Sequence, residues 1–204
     1  ITSKIEHVAV LKTCKFLETL GYEITYLNVD SSGRVDLNEL KSAIRSDTIL
    51  ISIMYANNEV GTIQPVKQIG DIAHAHGILF HTDAVQAYGQ IPVSAVMDGF
   101  DLLSASAHKF NGPKGVGFLY VKGYQKIDSM LKGGEQELGK RAGTENVPGI
   151  VGMAKAAKIA VQEMQERMKL NHTCCSTHTP KDAIYSCSEF ELHYSILSHL
   201  PHFD

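Results

Sequence analysis

Residues 48–59 read TILISIMYANNE. The first part, Thr48 to Met54, is β-branched and almost wholly apolar. A strand reads this way when both its faces are covered, which is the condition of a strand inside a parallel sheet. A polar cluster, Asn57-Asn58-Glu59, follows closely.

Similar strands recur along the chain. Ile78 to Thr82 (ILFHT), Leu102 to Ser106 (LLSAS) and Val116 to Val121 (VGFLYV) are short apolar runs, and Glu23 to Val29 (EITYLNV) reads as another strand. Between them lie helical patterns. Val8 to Leu20 has helical period and Gly21 stops it. Asp30 to Gly33 has turn chemistry. Asp36 precedes Glu39 in a capping-box-like pattern, opening a short helix to about Ile44. Pro65 starts a helix that Gly77 ends. A long helix is expected from Pro148 to about Met168. Strands alternating with helices imply an α/β fold with a mostly parallel, doubly wound sheet and helices on both faces. Such sheets bind ligands beyond the carboxyl ends of their strands. Three polar clusters fall there: Asn57-Asn58-Glu59, His81 with Asp83, and His108-Lys109.

Composition narrows the function classes. The chain has 204 residues, enough for one good core and a small appendage. Its net charge of -3 gives no electrostatic reason to expect nucleic acid or an anionic membrane as partner. No apolar run approaches the roughly 20 residues of a membrane span. The first residues, ITSKIEHVAV, lack the layout of a secretory signal and an initiator Met, so the chain is expected to be cytoplasmic and cut from something longer. Four cysteines are present. Cys14 reads as a buried helical thiol, and Cys174, Cys175 and Cys187 lack metal-ligand spacing. His74 and His76 stand two apart and point apart on a helix, so with His81 they suggest a solvated helix end rather than a metal set. GPKGVG is not a Walker A loop. After Lys169 the chain is rich in His, Ser, Thr and Cys without sustained period. Residues 1–169 are therefore expected to form the folded core, and 170–204 an atypical tail, disordered or translated out of frame.

Several residues have the chemistry of a catalytic site. Lys109, at a strand end beside Ser106 and His108, could trap a carbonyl; on this segment alone a surface lysine is the stronger reading. Asp83 ends an apolar strand, where a lone carboxylate is costly unless paired. An enzyme of pyridoxal 5'-phosphate (PLP) needs such a group to keep the pyridine nitrogen protonated; a helix cap is the other reading. Gln86 could bond the ring's phenolic oxygen or simply lie on a helix surface. Asn58 could do the same or form a turn. His7 could lie against a ring, cap a helix or sit in a core. Residues 133–146, GGEQELGKRAGTEN, are Gly-rich before a helix, and Thr144 with nearby N–H groups could contact phosphate.

The stretches EHVAV, IMYANNEVGTIQPV, ILFHTDAVQAYGQIPV, SASAHKFNGPKGVGFLYV and GGEQELGKRAGTENVPGIVGMAKA jointly resemble the NifS/IscS-like cysteine desulfurases of the class V aminotransferase family. The resemblance covers roughly residues 1–169 and implies that they are a partial large domain. It implies the PLP-dependent transferase fold of type I. Lys109 would bind PLP covalently and move the substrate's α-proton. Asp83 would pair with the ring nitrogen, Gln86 and Asn58 with the phenolic oxygen, and His7 would stack on the ring. Ser106 and His108 would hold the phosphate. Thr144 would reach the phosphate of a neighbouring subunit, implying a homodimer, with Arg141 and the GTEN loop at its interface. The implied reaction turns L-cysteine into L-alanine and leaves its sulfur as a persulfide on an enzyme cysteine, for an iron–sulfur scaffold or another sulfur acceptor. The chain departs from that family at both ends. It lacks the Gly-Gly-Thr-Glu-type segment, and nothing after Lys169 resembles the small domain that bears the persulfide cysteine and the carboxylate-binding arginine. Cys174, Cys175 and Cys187 are not assigned that role, and the chain is expected to be an inactive fragment. The alternatives are a selenocysteine lyase, another class V enzyme, or a non-catalytic dimerisation module.

Overall fold

The structure, a computed structural model, describes residues 1–123 and 127–177. Six strands form one sheet: β1 (Thr2–Ser3), β2 (Tyr26–Leu27), β3 (Leu50–Ser52), β4 (Leu79–Asp83), β5 (Leu102–Ser106) and β6 (Gly117–Val121). Their order is β2-β1-β3-β4-β5-β6, parallel throughout except for the antiparallel β5–β6 pair. The helices are α1 (Val8–Thr19), α2 (Leu37–Ala43), α3 (Val66–Ala75), α4 (Ala95–Asp98) and α5 (Val147–Thr177). The mostly parallel α/β sheet is the one that the strand–helix alternation implied.

Burial alternates along β4 and β5. Phe80, Thr82, Leu103 and Ala105 are buried, whereas His81, Asp83, Ser104 and Ser106 are half-buried on the opposite face. The buried face meets α3, whose Val66, Ile69, Gly70, Ile72 and Ala73 fall at helical spacing on one stripe. Val66, Ile69, Ile72 and Ala73 join Leu27, Ile51 and Ile53 in the main apolar cluster. A smaller cluster of Ala107, Phe110 and Ala160 seats α5 on the segment after β5. Tyr88 joins the two, edge-on to Phe110 and Phe118 with ring centroids 5.2 and 5.0 Å away.

Local chemistry sets the element ends. Asp36 accepts from the Asn38 N–H at 2.8 Å, so it caps α2 as its position suggests. Glu39 does not complete the reciprocal box. It accepts instead from the backbone and side-chain N–H groups of Asn28, at 3.1 and 2.8 Å, tying α2 to the end of β2. The ladder of β3 is shorter than TILISIM suggested, yet Ile53 and Tyr55 still donate to the His81 and Asp83 carbonyls. Extended backbone therefore reaches the carboxyl end of β4. EITYLNV contracts to Tyr26–Leu27, and β1 and α4 are too short to have shown a period. Helix α5 runs to Thr177, past Met168, with Cys174 and Cys175 on it; Cys187 lies outside the described residues.

Gly70 sits where α3 meets the turn after α4. A Cβ there would lie 2.7 Å from the Gly99 carbonyl oxygen. Helix propensity alone would make Gly70→Ala stabilising. The backbone contact cannot yield easily, so Gly70→Ala is expected to lower unfolding free energy by about 1–3 kcal/mol, as overpacking does. Denaturant titration reads the sign directly.

Candidate active site at the carboxyl ends of the strands

Strand β5 ends at Ser106, and the chain turns through a single 3-10 turn, Ala107–Phe110. Ala107 and Phe110 face inward, 0 and 1% exposed, leaving His108 and Lys109 on the outside. The turn ends at Asn111, whose φ of 65° is left-handed, a conformation asparagine tolerates better than most residues. Gln90 donates to the Lys109 carbonyl at 2.8 Å. The backbone of Lys109 is thus pinned while its amine is free to reach a ligand. Ser106 Oγ and His108 Nδ1 share a hydrogen bond of 2.8 Å. The two candidate phosphate-binding groups are therefore already paired side by side.

Asp83 closes the neighbouring strand. Its Oδ1 accepts from the Val85 N–H at 2.9 Å, and its carbonyl accepts from Tyr55 N–H at 2.9 Å. The residues after it form a turn rather than a helix, so Asp83 is no helix cap and Gln86 is no helix-surface residue. Gln86 lies half-buried in that turn. Two residues back on the same face of β4, His81 bridges Ser52 Oγ at 2.8 Å and Ser104 Oγ at 2.9 Å. Burial pushes its imidazole below the ordinary value, against the opposing pull of Asp83. A neutral imidazole has one donor and one acceptor, and two hydroxyls satisfy both.

The three histidines grouped in the sequence serve separate places. His74 and His76 are exposed at the end of α3, the solvated helix end expected of them, and His74 Nε2 also contacts Oδ2 of the buried Asp101 at 3.0 Å. His76 bonds the Ile72 carbonyl at 2.9 Å. Cys14 is half-buried on α1, its thiol pushed up by burial.

His7 is exposed and caps α1, its Nδ1 accepting from the Ala9 N–H at 3.2 Å. The turn that carries it is stitched to the loop carrying Asn58. Asn57 Nδ2 donates to the Ile5 carbonyl at 2.9 Å, while Asn57 Oδ1 accepts from the Glu59 and Val60 N–H groups. Asn57 thus forms the turn, and Asn58 is left half-buried at its edge. A second stitch was not anticipated. Glu6 Oε1 accepts from Ser3 Oγ at 2.6 Å and from the Met54 N–H at 2.9 Å. Burial, aided by Asp83, pushes Glu6 up to about 7. A glutamate directly before His7 was visible in the sequence, but nothing in its spacing signalled burial.

Structure thus gathers Asp83, Gln86, Ser106, His108 and Lys109 at adjoining strand ends, with His7 and Asn58 on loops bonded to the same edge. Arg141 and Thr144 stand apart on an exposed loop held by its own bonds. Arg141 donates to the Gly143 and Thr144 carbonyls at 3.1 and 3.4 Å. The donor set of amine, carboxylate, hydroxyl and imidazole suits a ligand with an electrophilic carbonyl, a basic ring nitrogen and an anionic group.

Comparison with known proteins shows the family. The profile of the Aminotransferase class-V family matches residues 1–196. The chain belongs to that family. Among curated members, cysteine desulfurase IscS of Dictyoglomus turgidum is 59% identical over 169 residues, which are 83% of this chain and 43% of the relative. Cysteine desulfurase IscS of Methanosarcina thermophila is 60% identical over 166 residues, 81% of this chain and 41% of the relative. The chain thus spans less than half the length of these class V relatives. Among solved structures, a NifS-like protein superposes with a TM-score of 0.80 at 46% identity, over 86% of this chain and 50% of that one. SspA in complex with cysteine gives 0.75 at 45% identity, over 77% of this chain and 46% of that one.

The His81 bridge has a consequence for stability. Because the folded imidazole resists protonation, the unfolded chain binds the extra proton first as pH drops through about 6.5. His81 therefore contributes stability that is present at neutral pH and lost on acidification below about 6.5. Denaturant titrations between pH 5 and 7.5 are expected to show a shallower acid loss in His81→Gln than in the parent chain; parallel curves would exclude a neutral His81.

Proposed function

We propose that the protein carries the PLP-binding core of a cysteine desulfurase, which converts L-cysteine to L-alanine and passes the sulfur to a thiol as a persulfide. The observation that carries this reading is Lys109, pinned by Gln90 and exposed at the end of β5, one strand from Asp83. It stands in a chain about 60% identical to proteins named cysteine desulfurase. SspA, solved with cysteine, supports the substrate class.

When bound, PLP supplies an electron sink for the substrate's α-carbon. The side chains then divide the work. The Lys109 amine would hold the cofactor through its carbonyl carbon and would move the substrate's α-proton. Asp83 holds a proton at the ring nitrogen, and Gln86 and Asn58 donate to the phenolic oxygen. Ser106 and His108 turn their existing bond toward a phosphate, and His7 covers the ring. Thr144 serves the site of a second subunit in a homodimer, with Arg141 shaping the interface. Residues 1–169 form the cofactor-binding unit, and 170–204 are a tail of atypical composition. The reading places the enzyme in the cytoplasm, delivering sulfur to an iron–sulfur scaffold or another acceptor protein.

Incubating the chain with PLP and then borohydride is expected to fix a pyridoxyl group onto Lys109, located by peptide mapping. Lys109→Ala should lose the label. Asp83→Asn should weaken PLP binding about 10- to 100-fold, the loss of one charge-assisted hydrogen bond. Label on another lysine would sink the assignment. With L-cysteine, a full-length parent is expected to give equal amounts of alanine and sulfide under reductant, whereas a keto acid would mark an aminotransferase; the 204-residue chain alone is expected to release no sulfide.

A further inference from the structure

Glu6 is 5% exposed, and its two oxygens are in unequal positions. Oε1 accepts from Ser3 Oγ in β1 and from the Met54 N–H beyond β3. Oε2 is fully buried and has no hydrogen-bond partner. The residue thus spans the gap between the turn that ends in His7 and the strand that leads to Asn58. The neighbouring Asn57–Ile5 bond closes the same gap. A buried carboxylate with one bare oxygen is costly, and a buried carboxylic acid much less so.

We propose that Glu6 is a positioning residue for the cofactor site, holding the His7 turn onto the end of β3 through a carboxyl group that keeps its proton. The inference rests on reading this edge as the PLP site. Four groups bear on the carboxyl: Ser3 from β1, the Met54 amide beyond β3, Asp83 from β4 and Cys14 from α1. Ser3 and Met54 donate to it, which favours the ionised form, but burial outweighs them. The thiol of Cys14 is pushed up by burial and stays uncharged near neutrality. Asp83 is the group whose negative charge opposes ionisation of Glu6. Ionising Glu6 places a second carboxylate near Asp83, and the repulsion loosens the turn that carries His7. The site therefore weakens on the alkaline side, after Glu6 gives up its proton at about pH 7.

Glutamine reproduces the neutral acid, with one acceptor oxygen and a donor in place of the hydroxyl. Alanine removes the stitch. PLP affinity of the 204-residue chain is titrated by absorbance at pH 6 and pH 8.5. Glu6→Gln is expected to match the parent at pH 6 and to bind about tenfold more tightly at pH 8.5, the scale of one pKa unit. Glu6→Ala should bind more weakly than the parent at pH 6, and Glu6→Gln should not. The second measurement needs no cofactor: the 15N shift of the Met54 amide, followed by NMR from pH 4 to 9. A step near pH 7 in the parent, absent in Glu6→Gln, supports the proposal. A step near the ordinary carboxylate value, or a glutamine variant as weak as alanine, overturns it. Should no variant bind PLP at any pH, the function reading fails, and the Met54 amide still decides the state of Glu6.

Discussion

The register of β3, β4 and β5 is the constraint on which the candidate site depends. His81 pairs with Ser52 on one side, and Asp83 with Ser104 on the other. A strand alternates its side chains with a period of two, so a slip of one residue would send His81 and Asp83 into the core and Phe80 and Thr82 to the ligand side. Buried contacts between α3 and the Phe80 face make such a slip prohibitive. The aliphatic residues that look least functional therefore aim the polar ones. Beyond the ladder, Tyr55 N–H on the Asp83 carbonyl and Ala84 N–H on the Ser104 carbonyl carry the same register into the loops.

Electrostatically the edge is built around one carboxylate. Asp83 lies near two other titratable groups that burial drives toward neutrality, His81 by resisting a proton and Glu6 by retaining one. Asp83 raises both groups, the imidazole by attraction and the carboxyl by repulsion. For His81 burial outweighs the pull, and for Glu6 burial and repulsion act together. Fewer charges around Asp83 leave it as the dominant partner for a cationic ring nitrogen, which is the role proposed for it.

Much of this was legible in the sequence because it rests on period and punctuation. TILISIM and ILFHT announce buried parallel strands, and Gly21, Asp36 and Gly77 mark helix ends close to where they fall. Lys109, Asp83 and Asn58 were visible as polar residues at strand ends. What escaped depends on contacts across long sequence separations. Glu6 reaches Met54, Asn57 reaches Ile5 and His74 reaches Asp101, and none of these pairs has a local spacing signal. Glu39 shows the opposite failure: a correct local motif whose side chain found a better partner in Asn28. Two-residue strands such as β1 carry too few positions for any period to appear.

Helix α1 shows what one chain leaves open. It follows the His7 turn directly, yet none of its residues is fully buried. Phe16 is 58% exposed, and Leu20 and Tyr22 beyond it are 58% and 52% exposed. A twelve-residue helix is marginal without tertiary cover, so α1 leans on the His7 cap, the Lys15–Glu18 pair and Lys15 over the Tyr26 ring. Thr144 and Arg141 are exposed as well, on a loop bonded only to itself among the interactions described. A proposed role at a phosphate gives that loop a purpose that its own chain does not. Apolar cover for α1 and an anionic partner for the Thr144 loop are different needs, one of area and one of charge. The homodimer proposed above would meet the need of the Thr144 loop, since in a two-fold arrangement each loop can serve the other chain's site.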